Sequence, residues 1–517
     1  MNDLNLFQTP AARPRTGNFL SLLLPAALIP ALLMLVLAGG ATASAQVVTN
    51  TADSGPGTLR SAITNAASGA VITFAPSLSG TTITLSNTLT INTNLTIDAS
   101  ALPGGLQING NHAVQIFNVA STITVFLNSL TITNGFSSGD GGGIYNNWGT
   151  LTLNQCTLSG NSAAGALYGD GGGIYNNGTL TLNNCTLSAN SAASGGGIFN
   201  YEGALTLNQC TLSGNSAERY GGGIFNLDTA LLNQCALSGN SASDQGGGIL
   251  NEGTLTLTNC TLSGNSAESD YGGGICNVGL LTLNQCTLSG NSAAIYCGGI
   301  YNYDQLTLNQ CTLSGNSGGG IYNVGGTSMT NTIVAGNSGT DIASYSDSGV
   351  TYGGSNLVQS VYGYGFTGPA PLTNAPDLAP LGNYGGPTQT MPPLPGSPAI
   401  GAGSVAANTF ATDQRGYSRT QNGLIGLGAV EVQSPAASPP VLENLIVPAG
   451  GVANGLQFTF TSAPAADFTV LTATTVSLAL TNWTVLGEVP QVAPGQYQFT
   501  DPQAATNLMR FYRVRSP

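Results

Sequence analysis

Lysine is missing from all 517 residues, histidine occurs once, tryptophan twice, and only 6% of the chain is charged. Typical domains carry about a quarter charged residues. Disordered chains stay open by being charged and poorly apolar, so this composition fits neither an ordinary globular enzyme nor a disordered segment. Nine arginines face 22 acids, for a formal net charge of -13. Such a surface repels phosphate backbones and polyuronates, which sets aside nucleic acid and pectin-like polyanions as first partners. Arg219 is the one arginine between Arg60 and Arg415, and the lone histidine, His112, stands beside Asn111 as a turn residue would.

What the chain does have is apolar residues (41%) and glycine (73 residues), enough for a sizeable core with many turns. The first 45 residues read as a signal peptide. Arg13 and Arg15 precede "FLSLLLPAALIPALLMLVLAGG", and the small residues of "ATASAQ" place cleavage between Ala45 and Gln46. The expected location is therefore secreted or on the cell surface. The apolar run also approaches the length of an uncleaved anchor.

From there one phrase recurs, as in "GGGIYNNGTLTLNNCTLSANSA" from Gly171 to Ala192. Aligned on Cys156, Cys185, Cys210, Cys235, Cys260, Cys286 and Cys311, the copies repeat about every 25 residues, a solenoid period. Within a copy, Leu180 and Leu182 alternate with Thr179 and Thr181, which makes a strand with leucines inward. Asn183-Asn184 turns a corner, Cys185 and Leu187 resume in a new phase, "SANSA" makes a second corner and "GGGIYN" a third short strand. Three strands and three turns leave no room for a helix. This is a coil of a parallel β-helix with coils about 4.8 Å apart. Equivalent residues then stack in columns. The cysteines form a ladder of unpaired thiols, since that spacing exceeds the roughly 3.8 Å between Cβ atoms in a disulfide. Asn161, Asn190, Asn215, Asn240, Asn265, Asn291 and Asn316 form an amide ladder.

"GTLRSAITNAASG", Gly57 to Gly69, carries Leu59, Ala62, Ile63 and Ala66 at helical spacing and reads as an N-terminal helical cap. The regular repeat fades after Asn337, and 338–432 is turn-rich. A proline linker, 433–441, leads to a small β-sandwich over 442–517 with strands such as "GLQFTFTS" and "GQYQFTD". The fold class is all-β: a right-handed parallel β-helix over 46–337, continued by 338–432, with a C-terminal sandwich. The 85 residues after Val432 are too few for a closed membrane barrel.

"GGGIYN...TLSGNSA" resembles the repeats of polymorphic outer membrane proteins, and the coil is similar to pectin lyase-like β-helices. "NTADSGPGTLRSAI", "LGNYGGPTQTMPPLPGSPAIGAGS", "TDQRGYSR" and "IGLGAVE" together resemble the choice-of-anchor Q domain family, from about Val47 to Val432. The family has aspartate and phenylalanine in "DIGAFE" where "GLGAVE" stands here. The resemblance implies a secreted or surface-displayed β-helix and supplies no catalytic residues.

Repeated residues hold the coil together, so function is sought where copies differ. Insertions such as "ERY", "ESDY" and "IYC" cluster on one edge between "GNSA" and "GGGI", a binding edge in a solenoid. The residues after the repeat isoleucines, Tyr145, Tyr175, Phe199, Phe225, Leu250, Cys276, Tyr301 and Tyr322, form a column that faces out if the isoleucines face in, suited to stacking on sugar rings or docking a partner. The competing reading is that the isoleucine phase is reversed, or that a loop covers the column. Glu202, Asp228 and Glu252 occupy nearly the same turn in three successive coils. They read as solubilising turn residues, as a cation site for calcium or as a carboxylate pair for glycoside hydrolysis. Asp140 and Asp170, each before a glycine triplet, make a weaker pair of the same kind. No catalytic residue is assigned. The expected function is non-enzymatic surface adhesion or binding of a polysaccharide or cell-surface protein, and the alternative is a polysaccharide-active hydrolase or lyase.

Overall fold

The computed structural model describes residues 46–165, 169–433, 441–446, 456–461, 468–473, 484–493, 496–501 and 511–515. The expected signal peptide, Ala45 included, and nearly all of the linker lie outside the described residues; Gln46 opens the first strand. Among the described residues no helix is long and apolar enough to cross a membrane.

Each "TLTLN" segment pairs in register with the next, Leu180 with Leu205 and Leu182 with Leu207, in a 14-stranded parallel sheet that runs from Gln46–Val48 to Phe366–Thr367. The "TLS" segments build a second sheet of 12 strands and the "IYN" segments a third of 12. The three wind as a right-handed solenoid of about 12 turns. The corner between the first two sheets works because the residue before each cysteine takes a left-handed backbone, as at Asn184 (φ 53) and Gln209 (φ 54), where asparagine is tolerated. Leucines, isoleucines and ladder cysteines fill the interior and are buried throughout.

The second corner holds more than a turn. Its Ser-Ala pairs form a fourth, short ladder of seven strands, from Phe136–Ser137 to Ser292–Ala293. At the glycine triplets coils stack backbone on backbone: a Cβ at Gly172 would sit 2.2 Å from the Ser191 carbonyl oxygen and 2.6 Å from that of Gly196. Only glycine permits that approach.

The asparagine ladder forms as expected. Asn161, Asn190 and Asn215 are fully buried, and each side-chain amide donates to the next Oδ1 at 2.9 Å. A second buried ladder, absent from the sequence reading, links Asn146, Asn176, Asn200 and Asn226 of the "IYN" strands at 2.7–2.8 Å. All nine cysteines are free and buried. Ladder thiols donate to leucine carbonyls of the preceding coil, Cys185 to Leu153 at 3.4 Å.

The cap is the helix Leu59–Thr64, with Thr58 as N-cap and Leu59, Ala62 and Ile63 buried. Asp53 and Arg60 of the "TADSGPGTLR" stretch pair at 2.6 Å, and Arg60 also donates to the Thr88 carbonyl, which ties the cap to the following coil. At the other end the coils continue past Asn337, where the repeat fades in sequence. Ile342–Ser344, Val350–Tyr352 and Leu357–Val358 keep the parallel register while Tyr352 and Val350 replace the repeat leucines.

Residues beyond Thr367 fold back along the outside of the second sheet. Gln414, fully buried, donates to the Cys260 carbonyl (3.1 Å) and to the hydroxyls of Thr261 and Thr388 (both 2.9 Å), and accepts from Thr287 at 2.6 Å. Asp413 accepts from Arg415 at 2.8 Å and from the backbone N–H of Glu431. The "GGPTQT" and "TDQRG" stretches are therefore the docking points of a strap.

The chain from Gln433 forms a separate compact unit. Its antiparallel strands make a four-stranded and a three-stranded sheet sharing a core of Phe458, Phe460, Val470, Tyr497, Tyr512 and Val514, the expected small sandwich.

Candidate ligand-binding face

The aromatic column is aimed by its neighbours. Every repeat isoleucine is buried inside the solenoid, so the residue after it projects from the outer surface of the third sheet. Register runs unbroken from Tyr145 through Tyr175, Phe199, Phe225, Leu250 and Cys276 to Tyr301 and Tyr322. Tyr145 stacks on Tyr175 and Tyr175 on Phe199 with centroids 5.2 Å apart, and Tyr301 stacks on Tyr322 at 5.3 Å.

Facing outward does not leave these residues open. Phe199 is 5% exposed and Cys276 1%, with Tyr175, Phe225 and Leu250 also buried; Tyr145, Tyr301 and Tyr322 are half-buried. Part of the cover comes from the inserted loops and part from Tyr201, whose ring lies 6.4 Å from that of Tyr175 and 6.2 Å from that of Phe199. Tyr220 packs edge-on against Phe225 at 6.0 Å, Tyr271 stacks on Tyr301 at 4.6 Å, and Tyr296 tilts against Tyr322 at 4.5 Å. Insertion rings thus lie over Phe225, Tyr301 and Tyr322, and the turn residue Tyr201 over Tyr175 and Phe199.

The open aromatic surface lies one column over, at the residue following each "IYN" asparagine. Tyr201, Leu227, Glu252, Val278, Tyr303, Val324, Tyr345 and Tyr364 are aligned because each donates its backbone N–H to the carbonyl of the strand-end residue of the preceding coil, the ladder asparagine in every case but Tyr364, which donates to Ser344. Tyr201, Val278, Tyr303 (62%), Tyr345 and Tyr364 are exposed there, joined by Tyr362 (61%) at the C-terminal end. Tyr345 packs 5.1 Å from Tyr322 and 5.9 Å from Tyr362, and the Tyr364 hydroxyl donates to the Tyr345 carbonyl at 2.9 Å. The signal was present in sequence as "NY", "NV" and "SY" after the strand, but the turn residue varies too much to stand out.

Glu202, Asp228 and Glu252 line the rim of this stripe, all exposed. Their turns differ in length. Glu252 directly follows its asparagine, Asp228 is aligned with Gly203 and Gly253 just before the next strand, and Glu202 is the additional residue of a three-residue turn. The three are staggered across the turn and form no column. Among the described residues no group of three or more His, Cys, Asp or Glu side chains is placed to hold a metal ion. Partial burial pushes the Glu252 carboxyl up.

Asp140 and Asp170 do come together. They occupy equivalent positions in neighbouring coils, and the Asp170 N–H donates to Asp140 Oδ1 at 3.1 Å. Burial, then the Asp140 charge, pushes the Asp170 carboxyl up to about 6. Burial and then Asp140 push the Tyr145 hydroxyl up as well. His112 is an exposed turn residue with φ 52.

A comparison with curated proteins finds no match. Residues 173–338, the most regular coils, match the family described as the right handed beta helix region.

Proposed function

We propose that this protein is an exported, non-enzymatic β-helix that binds a partner, glycan or protein, at a cell surface through the outer surface of its third sheet. The observation that carries this is the stripe from Tyr201 to Tyr364, interrupted by Glu252 and densest at its C-terminal end, where Tyr303, Tyr345, Tyr362 and Tyr364 are all exposed, because clustered exposed aromatic surface on a charge-poor protein marks an interaction site. Export is supported by the N-terminal leader in the sequence. The likeness to choice-of-anchor Q and polymorphic outer membrane proteins supports surface display. The scatter of Glu202, Asp228 and Glu252 argues against a catalytic centre or calcium site there.

The alternative, a polysaccharide hydrolase, rests on Asp140 and Asp170, which come together in neighbouring coils with both carboxyls pushed up by burial. Incubation of the full chain with soluble and insoluble polysaccharides and with cell-surface protein extracts, recording both bound protein and released sugar ends, separates the two. Retention without release is expected. Release of ends that is lost in Asp170→Asn would establish the hydrolase.

A further inference from the structure

The stripe is bordered by acids and almost devoid of cations. On the turn side stand Glu202, Asp228, Glu252 and Asp304, all exposed; on the glycine-triplet side are Asp244 and Asp270, with Asp170 and Asp140 one and two coils before the stripe begins. Asp270 is held by Gln245, which donates to its Oδ2 at 3.0 Å. Against these the whole stretch between Arg60 and Arg415 offers Arg219, whose guanidinium lies 4.8 Å over the Tyr220 ring, and the single His112. Exposed tyrosine faces attract cations through the ring quadrupole, and carboxylates beside them add charge complementarity. An anionic occupant would meet repulsion along both borders, and a neutral one would leave them unused.

The stripe is also long. From the Tyr201 coil to the Tyr364 coil it spans roughly 34 Å at about 4.8 Å per coil, the reach of about ten residues of extended chain. Turn-side acids recur in the coils of Glu202, Asp228, Glu252 and Asp304, so a multivalent chain engages them where a single small amine reaches one.

We infer that the occupant of this face is an extended, lysine- and arginine-bearing polypeptide segment of a partner protein, lying along the solenoid axis over Tyr201, Tyr303 and Tyr345 with its cations on the acidic borders. This deepens the binding reading above and rests on it.

The test is fluorescence anisotropy with the full chain and three labelled probes: a peptide alternating lysine and serine over about 12 residues, its glutamate counterpart, and a neutral β-glucan oligosaccharide. The lysine peptide binds and the other two do not. Its affinity falls about tenfold in Tyr303→Ala/Tyr345→Ala, about tenfold in Glu202→Gln/Glu252→Gln/Asp304→Asn, and less than twofold in the charge-matched control Asp98→Asn/Asp377→Asn/Glu488→Gln. These are surface side chains, and unchanged circular dichroism confirms the fold of each variant. Equal loss in the control would reduce the effect to net charge and overturn the inference. Binding of the neutral oligosaccharide in place of the peptide, lost in Tyr303→Ala/Tyr345→Ala, would overturn the basic-peptide inference while leaving the binding reading standing. Failure of every probe, together with release of sugar ends in the polysaccharide assay, would overturn both.

Discussion

Asn190 and Asn215, one coil apart in a buried corner, are joined by two hydrogen bonds to one oxygen: Asn215 Oδ1 accepts from the Asn190 side-chain amide at 2.9 Å and from its backbone N–H at 3.1 Å. Asn215 in turn donates to the Leu187 carbonyl at 3.0 Å. Replacing Asn215 by alanine strands both donors and that carbonyl away from water. The expected cost is about 3 kcal/mol, each orphaned buried group contributing about 1–3 kcal/mol. Asn233 donates to Asn208 in a half-buried outer ladder, where water replaces the lost bond, and Asn233→Ala is expected to cost about 0.5 kcal/mol. Urea unfolding of the two variants checks the contrast.

That corner was readable in advance, since a polar residue recurring at a fixed place in every coil must be satisfied by its own copies. The Asn146 to Asn226 ladder obeys the same rule, but in sequence the aromatic residue before each asparagine is the more conspicuous mark of that strand. The aromatic column was aimed correctly, but burial depends on which neighbouring turn carries a ring, and Tyr220, Tyr271 and Tyr296 lie in insertions whose path the period does not specify. The β-helix was expected to continue over 338–432, but its individual coils there carry no repeat motif: Met329, Val350 and Tyr352 fill the core as well as leucine does, so packing persists where the repeated letters stop. The strap is a long-range partnership, Gln414 with Thr261 and Thr287, which no local pattern encodes.

Gln414 is the strap's best-connected side chain. Gln414→Ala deletes its four hydrogen bonds and leaves the buried hydroxyls of Thr261 and Thr287 without it. Limited proteolysis is expected to cut within 368–432 at least tenfold faster than in the parent, while the coils before Cys260 keep their hydrogen-exchange protection. Unchanged cleavage would show that the strap is held elsewhere.

The thiols should be silent in the native protein. All nine are buried, so access to reagent is closed whatever the protonation of each ladder thiol, and burial pushes Cys297 up to about 12. Alkylation at pH 8 is expected to label none of the nine cysteines before denaturation and all nine afterwards, without reductant. Labelling that requires reductant would reveal a disulfide.

Asp170 carries a pH signature. Its folded-state carboxyl titrates near 6, above the ordinary 3.8, so between about pH 4 and 6 the folded protein holds a proton that the unfolded chain has lost. Its contribution therefore declines as pH rises through that window and is least favourable above 6. Asp170→Asn is expected to stabilise the protein by about 1 kcal/mol at pH 7.5, solvent screening having reduced the full worth of the shift, and to be neutral at pH 3.5. A gain of equal size at both pH values would contradict the burial argument.

The claim that a partner lies on the outer surface of the third sheet is tested most directly by tyrosine nitration of the full chain with and without its retained partner, read residue by residue by mass spectrometry. Protection of Tyr303, Tyr345 and Tyr364, with Tyr175 unreactive in both states and Tyr384 on the strap unaffected, is the predicted result. Protection confined to the strap, or full reactivity of the stripe while the partner is bound, would contradict it.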